Sequence, residues 1–139
     1  MINMSILTHL KRYIPLLTVL LFVAVLFSCS NPEESRLAKI PLESVLGNGR
    51  PTLAEFDWRE CVPCKTMRPI LEELDREYKG KLNVLIVEIP LHEDIADKYG
   101  IQVMPVQIFF DGNGEEVARH AGFLPKEQIV AQLQKMGIQ

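Results

Sequence analysis

Two cysteines stand three positions apart in the stretch Trp58-Arg59-Glu60-Cys61-Val62-Pro63-Cys64-Lys65-Thr66-Met67. An apolar, strand-like run (Thr52 to Phe56) precedes them, and a helix-like run (Ile70 to Tyr78) follows. A cysteine pair at the point where a strand gives way to a helix is a redox-motif signature. The spacing suits a disulfide closed over the first turn of the helix. Cys61 would then stay exposed at the helix N-terminus, with Cys64 tucked beneath it. Unpaired N–H groups and the positive end of the helix dipole favour a thiolate there.

Two other chemistries compete for the pair. A structural zinc site needs four ligands, and only His92 and His120 remain as nitrogen donors. They lie in separate segments with neither finger nor ribbon spacing, so no metal is expected. A purely structural disulfide closing so short a loop gains little chain entropy, and its place at a helix N-terminus makes it reactive.

The elements that must position the pair can be read in order. Leu42, Val45 and Leu46 could form one short helix, ended by Gly47-Asn48-Gly49, and Pro51 to Phe56 reads as a strand. Met67, Ile70, Leu71, Leu74 and Tyr78 fall on one face of an amphipathic helix. Pro69 inside that helix should kink it, and Gly80 ends it. Leu82 to Ile89 is a nearly unbroken apolar run, the mark of a strand covered on both faces in a parallel sheet. Glu93 to Tyr99 is a short helix. Val106 to Phe110 is a strand, Asp111-Gly112-Asn113-Gly114 a hairpin turn, and Glu115 to His120 its returning partner. Lys126 to Met136 is a final helix with Ile129, Leu133 and Met136 inward. A parallel β-α-β followed by a β-hairpin and a C-terminal helix makes an α/β domain, a central mixed sheet with helices on both faces.

The chain has 139 residues, room for one domain of about 100–150 residues and an appendage. Its hydrophobic fraction of 47% exceeds what that domain needs, and the excess lies in the first 28 residues. Lys11-Arg12 followed by the short apolar run Leu16 to Phe27 matches an export signal, and the run is shorter than the ~20 residues of a bilayer-spanning helix. Leu26-Phe27-Ser28-Cys29 resembles a bacterial lipoprotein box, with Cys29 the lipidated residue; an uncleaved anchor is the alternative. Residues 1–29 are therefore the export segment, 30–41 a polar tether and 42–139 the folded domain. Without the first 28 residues the chain has 13 basic against 18 acidic side chains, a net charge of −5. That argues against a nucleic-acid binder, which would show a basic face.

From Pro51 to Ile138 the chain resembles the thioredoxin family. Three separated features carry the likeness. They are Cys61-Val62-Pro63-Cys64-Lys65 with Pro69 five residues on, then Tyr99-Gly100-Ile101-Gln102-Val103-Met104-Pro105-Val106, and then Gly122 after the last strand. The resemblance implies a thioredoxin-like fold with Cys61 as attacking and Cys64 as resolving thiol. Pro105 would be a cis-proline facing the disulfide, with Met104, Pro63 and Trp58 also contacting substrate. Glu55, six residues before Cys61, falls where the family keeps a buried acid that relays a proton to or from the second cysteine. A glutamate at a strand end reaching solvent is the other reading. No cofactor is implied beyond the redox-active disulfide.

The chain departs from the family pattern at several positions. Glu60 stands where the family usually has tryptophan, and an acidic neighbour opposes the thiolate. Trp58, two residues earlier, either covers the site or packs a loop. Ile86 replaces the lysine often partnering the buried acid, which makes Glu55 harder to ionise. Val62 replaces a glycine and stiffens the turn. Pro63, with no histidine between the cysteines, resembles reducing members of the family. The expectation is an extracytoplasmic, membrane-tethered disulfide reductase on the periplasmic side. It would act on disulfide-containing proteins and be recharged by a membrane electron carrier. An oxidase or isomerase of the same fold and a non-catalytic peptide-binding module are the alternatives.

Overall fold

The computed structural model describes residue 37, residues 41–89 and residues 93–139. The expected export segment 1–29 with Cys29, all but Leu37 and Pro41 of the expected tether, and His92 lie outside these residues. The described chain runs β1 (Thr52–Asp57), α1 (Val62–Glu77), β2 (Asn83–Glu88), α2 (Glu93–Tyr99), β3 (Val106–Phe110), β4 (Glu116–Ala121) and α3 (Lys126–Lys135). The short helix anticipated at Leu42 is a single 3-10 turn, Leu42–Ser44.

The four strands form one sheet in the order β2-β1-β3-β4. β1 and β2 are parallel, and β3 is antiparallel to both of its neighbours. A parallel pair needs a long crossover, which α1 supplies. The hairpin between β3 and β4 is closed by Asp111. Its carboxylate accepts hydrogen bonds from the backbone N–H groups of Asn113 and Glu115, each at 2.9 Å. This is the side-chain mimicry that makes Asp a turn residue.

Side chains alternate across a strand, so the sheet buries a different core on each face. On one face Leu53, Val84, Ile86 and Phe109 meet Met67, Leu71 and Leu74 of α1 and Ile129 and Leu133 of α3. On the other, Ala54, Phe56, Leu85, Val87, Ile108 and Phe110 meet Leu42 and Ile95 of α2. Tyr99 closes this second core, its ring centroid 5.4 Å from Phe56 and 5.8 Å from Phe110. Helices thus cover both faces.

α1 continues through Pro69 as one hydrogen-bonded element. A proline there removes one backbone donor, at about 3 kcal/mol. Full burial of Met67, Leu71 and Leu74, each worth roughly 1.5–3 kcal/mol, outweighs that cost. The alternation along β1 has a further consequence. Leu53, Glu55 and Asp57 share the face beneath α1, so two carboxyl groups enter the layer under the helix that holds Cys64.

Candidate functional site: a dithiol over a buried carboxyl

Cys61 is the N-cap of α1, with extended backbone (φ −71°, ψ 119°). Its Sγ accepts a hydrogen bond from the Cys64 backbone N–H at 3.3 Å, so one of the helix's unpaired donors is aimed at this sulphur. Pro63, in the first turn, occupies a position whose N–H would have had no helical partner. Cys61 and Cys64 are joined as a disulfide with their Cα atoms 5.3 Å apart. Cys64 is fully buried, while Cys61 is half-exposed. An incoming sulphur can therefore reach Cys61, and Cys64 can be reached only through it. Lys65 is exposed on the first turn, as a solvated charge.

The Met104–Pro105 peptide bond is cis. Pro105 is buried and Met104 half-exposed. The Pro105 carbonyl accepts a 2.7 Å hydrogen bond from Gly122 N–H, so two of the three separated sequence features meet. Because Val106 pairs with Phe56, the cis-proline loop leaves the same end of the sheet as the segment carrying the cysteines. That end exposes apolar side chains: Trp58 (46%), Val62 (73%), Val103 (57%) and Phe123 (44%). Trp58 is thus an exposed side chain at the rim.

Glu55 is fully buried, which removes the solvent-reaching alternative. Its neighbours in register are Ile86 on β2 and Gln107 on β3. Ile86 occupies the position expected for it and offers no countercharge. Gln107 Nε2 donates to Glu55 Oε2 at 2.8 Å. Burial pushes the Glu55 carboxyl up to about 8, against the opposing effect of the Gln107 hydrogen bond, with Asp57 adding to the rise and Arg68 countering it. A carboxyl poised near neutral pH is suited to proton transfer.

Beside it lies an ionic cluster that sequence reasoning did not find. Arg68, one helical turn beyond Cys64, donates to Asp57 through Nε and Nη2, each at 3.0 Å. Its Nη2 also reaches Glu88 Oε1 at 3.1 Å, and Arg59 Nη2 reaches Glu88 Oε2 at 3.2 Å. Asp57 is fully buried, and burial raises its pKa while Arg68 opposes the rise. The period-two spacing of Glu55 and Asp57 was the available signal, had the strand been extended past Phe56. His120 is half-buried in β4 and stands opposite Gln107. Its Nε2 lies 3.3 Å from the Phe123 carbonyl. Among the described residues no three His, Cys, Asp or Glu side chains converge as metal ligands.

A reachable and a buried cysteine at the head of a helix, on a mixed sheet with a cis-proline loop at the same end, define the class of thiol–disulfide oxidoreductases built on the thioredoxin fold. Comparison with known proteins agrees. A thioredoxin-like domain family matches residues 39–137. Thioredoxin C-2 of Corynebacterium nephridii is 39% identical over 87 residues, covering 63% of this chain and 80% of that protein. The thioredoxin of Pseudomonas aeruginosa is 40% identical over 91 residues, covering 64% and 82%. The chloroplastic thioredoxin-like protein HCF164 of Arabidopsis thaliana is 32% identical over 95 residues, covering 66% and 36%. The chain belongs to the thioredoxin family and is a thiol–disulfide oxidoreductase.

Proposed function

We propose that this protein is a membrane-tethered, extracytoplasmic disulfide reductase acting on protein substrates. The observation that carries the catalytic part is the asymmetric burial of the pair, Cys61 reachable at the helix N-cap and Cys64 sealed beneath it. The Cys61 thiolate attacks a substrate disulfide and forms a mixed disulfide. Cys64 then attacks Cys61, releasing the second substrate sulphur as a thiolate and closing the Cys61–Cys64 bond. Glu55 takes the Cys64 proton. The exposed apolar side chains at that end of the sheet, with Met104, Pro105 and Pro63, receive an extended substrate segment.

Location rests on the sequence: the basic start, the short apolar run and Cys29 at its end support export with lipid attachment. A reductase outside the cytoplasm works against an oxidising compartment, so it draws electrons from a membrane carrier. Pro63 and the absence of histidine between the cysteines favour the reducing direction.

Substituting Cys64→Ser in the full chain tests the reading. The variant should accumulate mixed disulfides with extracytoplasmic proteins through Cys61, and Cys61→Ser should accumulate none. Retention of the same proteins by a double serine variant would instead support a binding module without redox turnover.

A further inference from the structure

The sheet register sets Ile86, Glu55, Gln107 and His120 side by side on four adjacent strands. Gln107 is the polar residue within this row that touches Glu55, and both are fully buried. The contact has a direction. The Gln107 amide donates, so Glu55 Oε2 is occupied as an acceptor. The other oxygen, Glu55 Oε1, is buried with no hydrogen-bond partner, as is Gln107 Oε1. Unpaired buried polar atoms are rare and call for an explanation. With one oxygen held by an amide N–H, the carboxyl proton belongs on the other.

We infer that Gln107 is a positioning residue for disulfide exchange: its amide holds Glu55 Oε2 and leaves Oε1 as the oxygen that receives and returns the Cys64 proton. This rests on the reading of Glu55 as the proton relay. In the resolving step Cys64 loses its proton to Glu55 Oε1 and its thiolate attacks Cys61 Sγ of the mixed disulfide. The Cys61–Cys64 bond forms and the bond from Cys61 to the substrate sulphur breaks. That sulphur leaves with the electron pair and is protonated by solvent or by the returning proton. Two electrons have passed from the cysteine pair to the substrate disulfide.

Gln107 fills the place of a charged partner. A cation would hold Glu55 ionised, whereas an amide only tempers the effect of burial. The charged groups around Glu55 are Asp57 on its own strand, Arg68 from α1 and Glu88 on β2, with Arg59 reaching Glu88. His120 lies beyond Gln107 on β4. These groups form a nearly neutral surround. The hydrogen bond from Gln107 is then the specific contact that favours the ionised carboxylate.

The experiment follows the reduced full chain in single turnover with oxidised glutathione, reading the second glutathione thiolate released across pH. Gln107→Met, similar in shape but without a donor, should move the rising limb of the rate toward alkaline pH by about one to two units. At neutral pH the rate should fall about tenfold to a hundredfold. In a Glu55→Gln background the same substitution should have no further effect, since residues acting through one group are non-additive. A shift with Glu55→Gln but none with Gln107→Met overturns the role of Gln107 and leaves the relay standing. An unchanged profile with Glu55→Gln overturns the relay, and this inference with it. A measurement on the unsubstituted chain guards against misfolding of the variants. The side-chain amide resonances of Gln107 should titrate together with the Glu55 carboxyl carbon; an amide that stays fixed while that carbon titrates would refute the coupling.

Discussion

Glu55 makes a prediction about stability that does not depend on knowing a substrate. An ordinary glutamate ionises near 4.5, whereas burial holds this one up to about 8. Below the lower value both the folded and unfolded chains hold the proton. Between the two only the folded chain does, so rising pH favours the unfolded state by about 1.4 kcal/mol per pH unit. Across the window of roughly three and a half units the loss is about 5 kcal/mol, complete once pH passes the folded value. Asp57, raised by the same cause, slopes the same way, so the comparison must be made by difference. Glu55→Gln removes the titration while keeping a hydrogen-bonding side chain beside Gln107. Urea unfolding of the oxidised chain from about pH 4.5 to about pH 8.5 should give converging curves at acid pH. At the alkaline end the variant should be the more stable by several kcal/mol. Parallel curves for the two proteins would refute the burial argument.

Other perturbations follow from single contacts. Arg68→Met leaves the buried Asp57 and nearly buried Glu88 without their shared cation. Because Arg68 is itself about a quarter exposed, the loss should fall near the lower end of the usual 3–5 kcal/mol, read from the urea midpoint. Arg68→Lys should recover only part of it, because the two-pronged contact to Asp57 needs a guanidinium. Gly114→Ala places a methyl 2.9 Å from the Gly47 backbone nitrogen at a φ of +86°. It should cost about 1–3 kcal/mol in the same assay, while Gly80→Ala, with a positive φ but open space around it, should cost less.

The strands and helices were legible from their apolar patterns, a helical period in α1 and an almost continuous apolar run in β2. Leu53 and Phe56 sit on opposite faces of β1, and Met67, Leu71 and Leu74 recur on one face of α1. The Asp-Gly-Asn-Gly turn and the Cys-Val-Pro-Cys pair announce themselves locally. What was not legible depends on register and on packing across elements. Nothing adjacent in the chain ties Glu55 to Gln107, which lies 52 residues later. Only the pairing of β1 with β3 brings them together. The Arg68 cluster joins a strand, a helix and a second strand for the same reason, and Glu88 stands in sequence as a lone acid inside the apolar run Leu82 to Ile89. Pro69 shows the opposite case, a residue that removes a helical donor yet is carried inside α1 by the core beneath it. The extent of the first helix was overestimated because Leu42, Val45 and Leu46 have helical spacing but too few residues to propagate a helix before Gly47.

The central claim is that the Cys61–Cys64 pair works as an electron donor. Its most direct test is the reduction potential of that couple in the full chain, equilibrated against thiol buffers. The account predicts a value near the thioredoxin end of the scale, roughly −270 mV. A value near roughly −120 mV would contradict it and make the protein a disulfide donor.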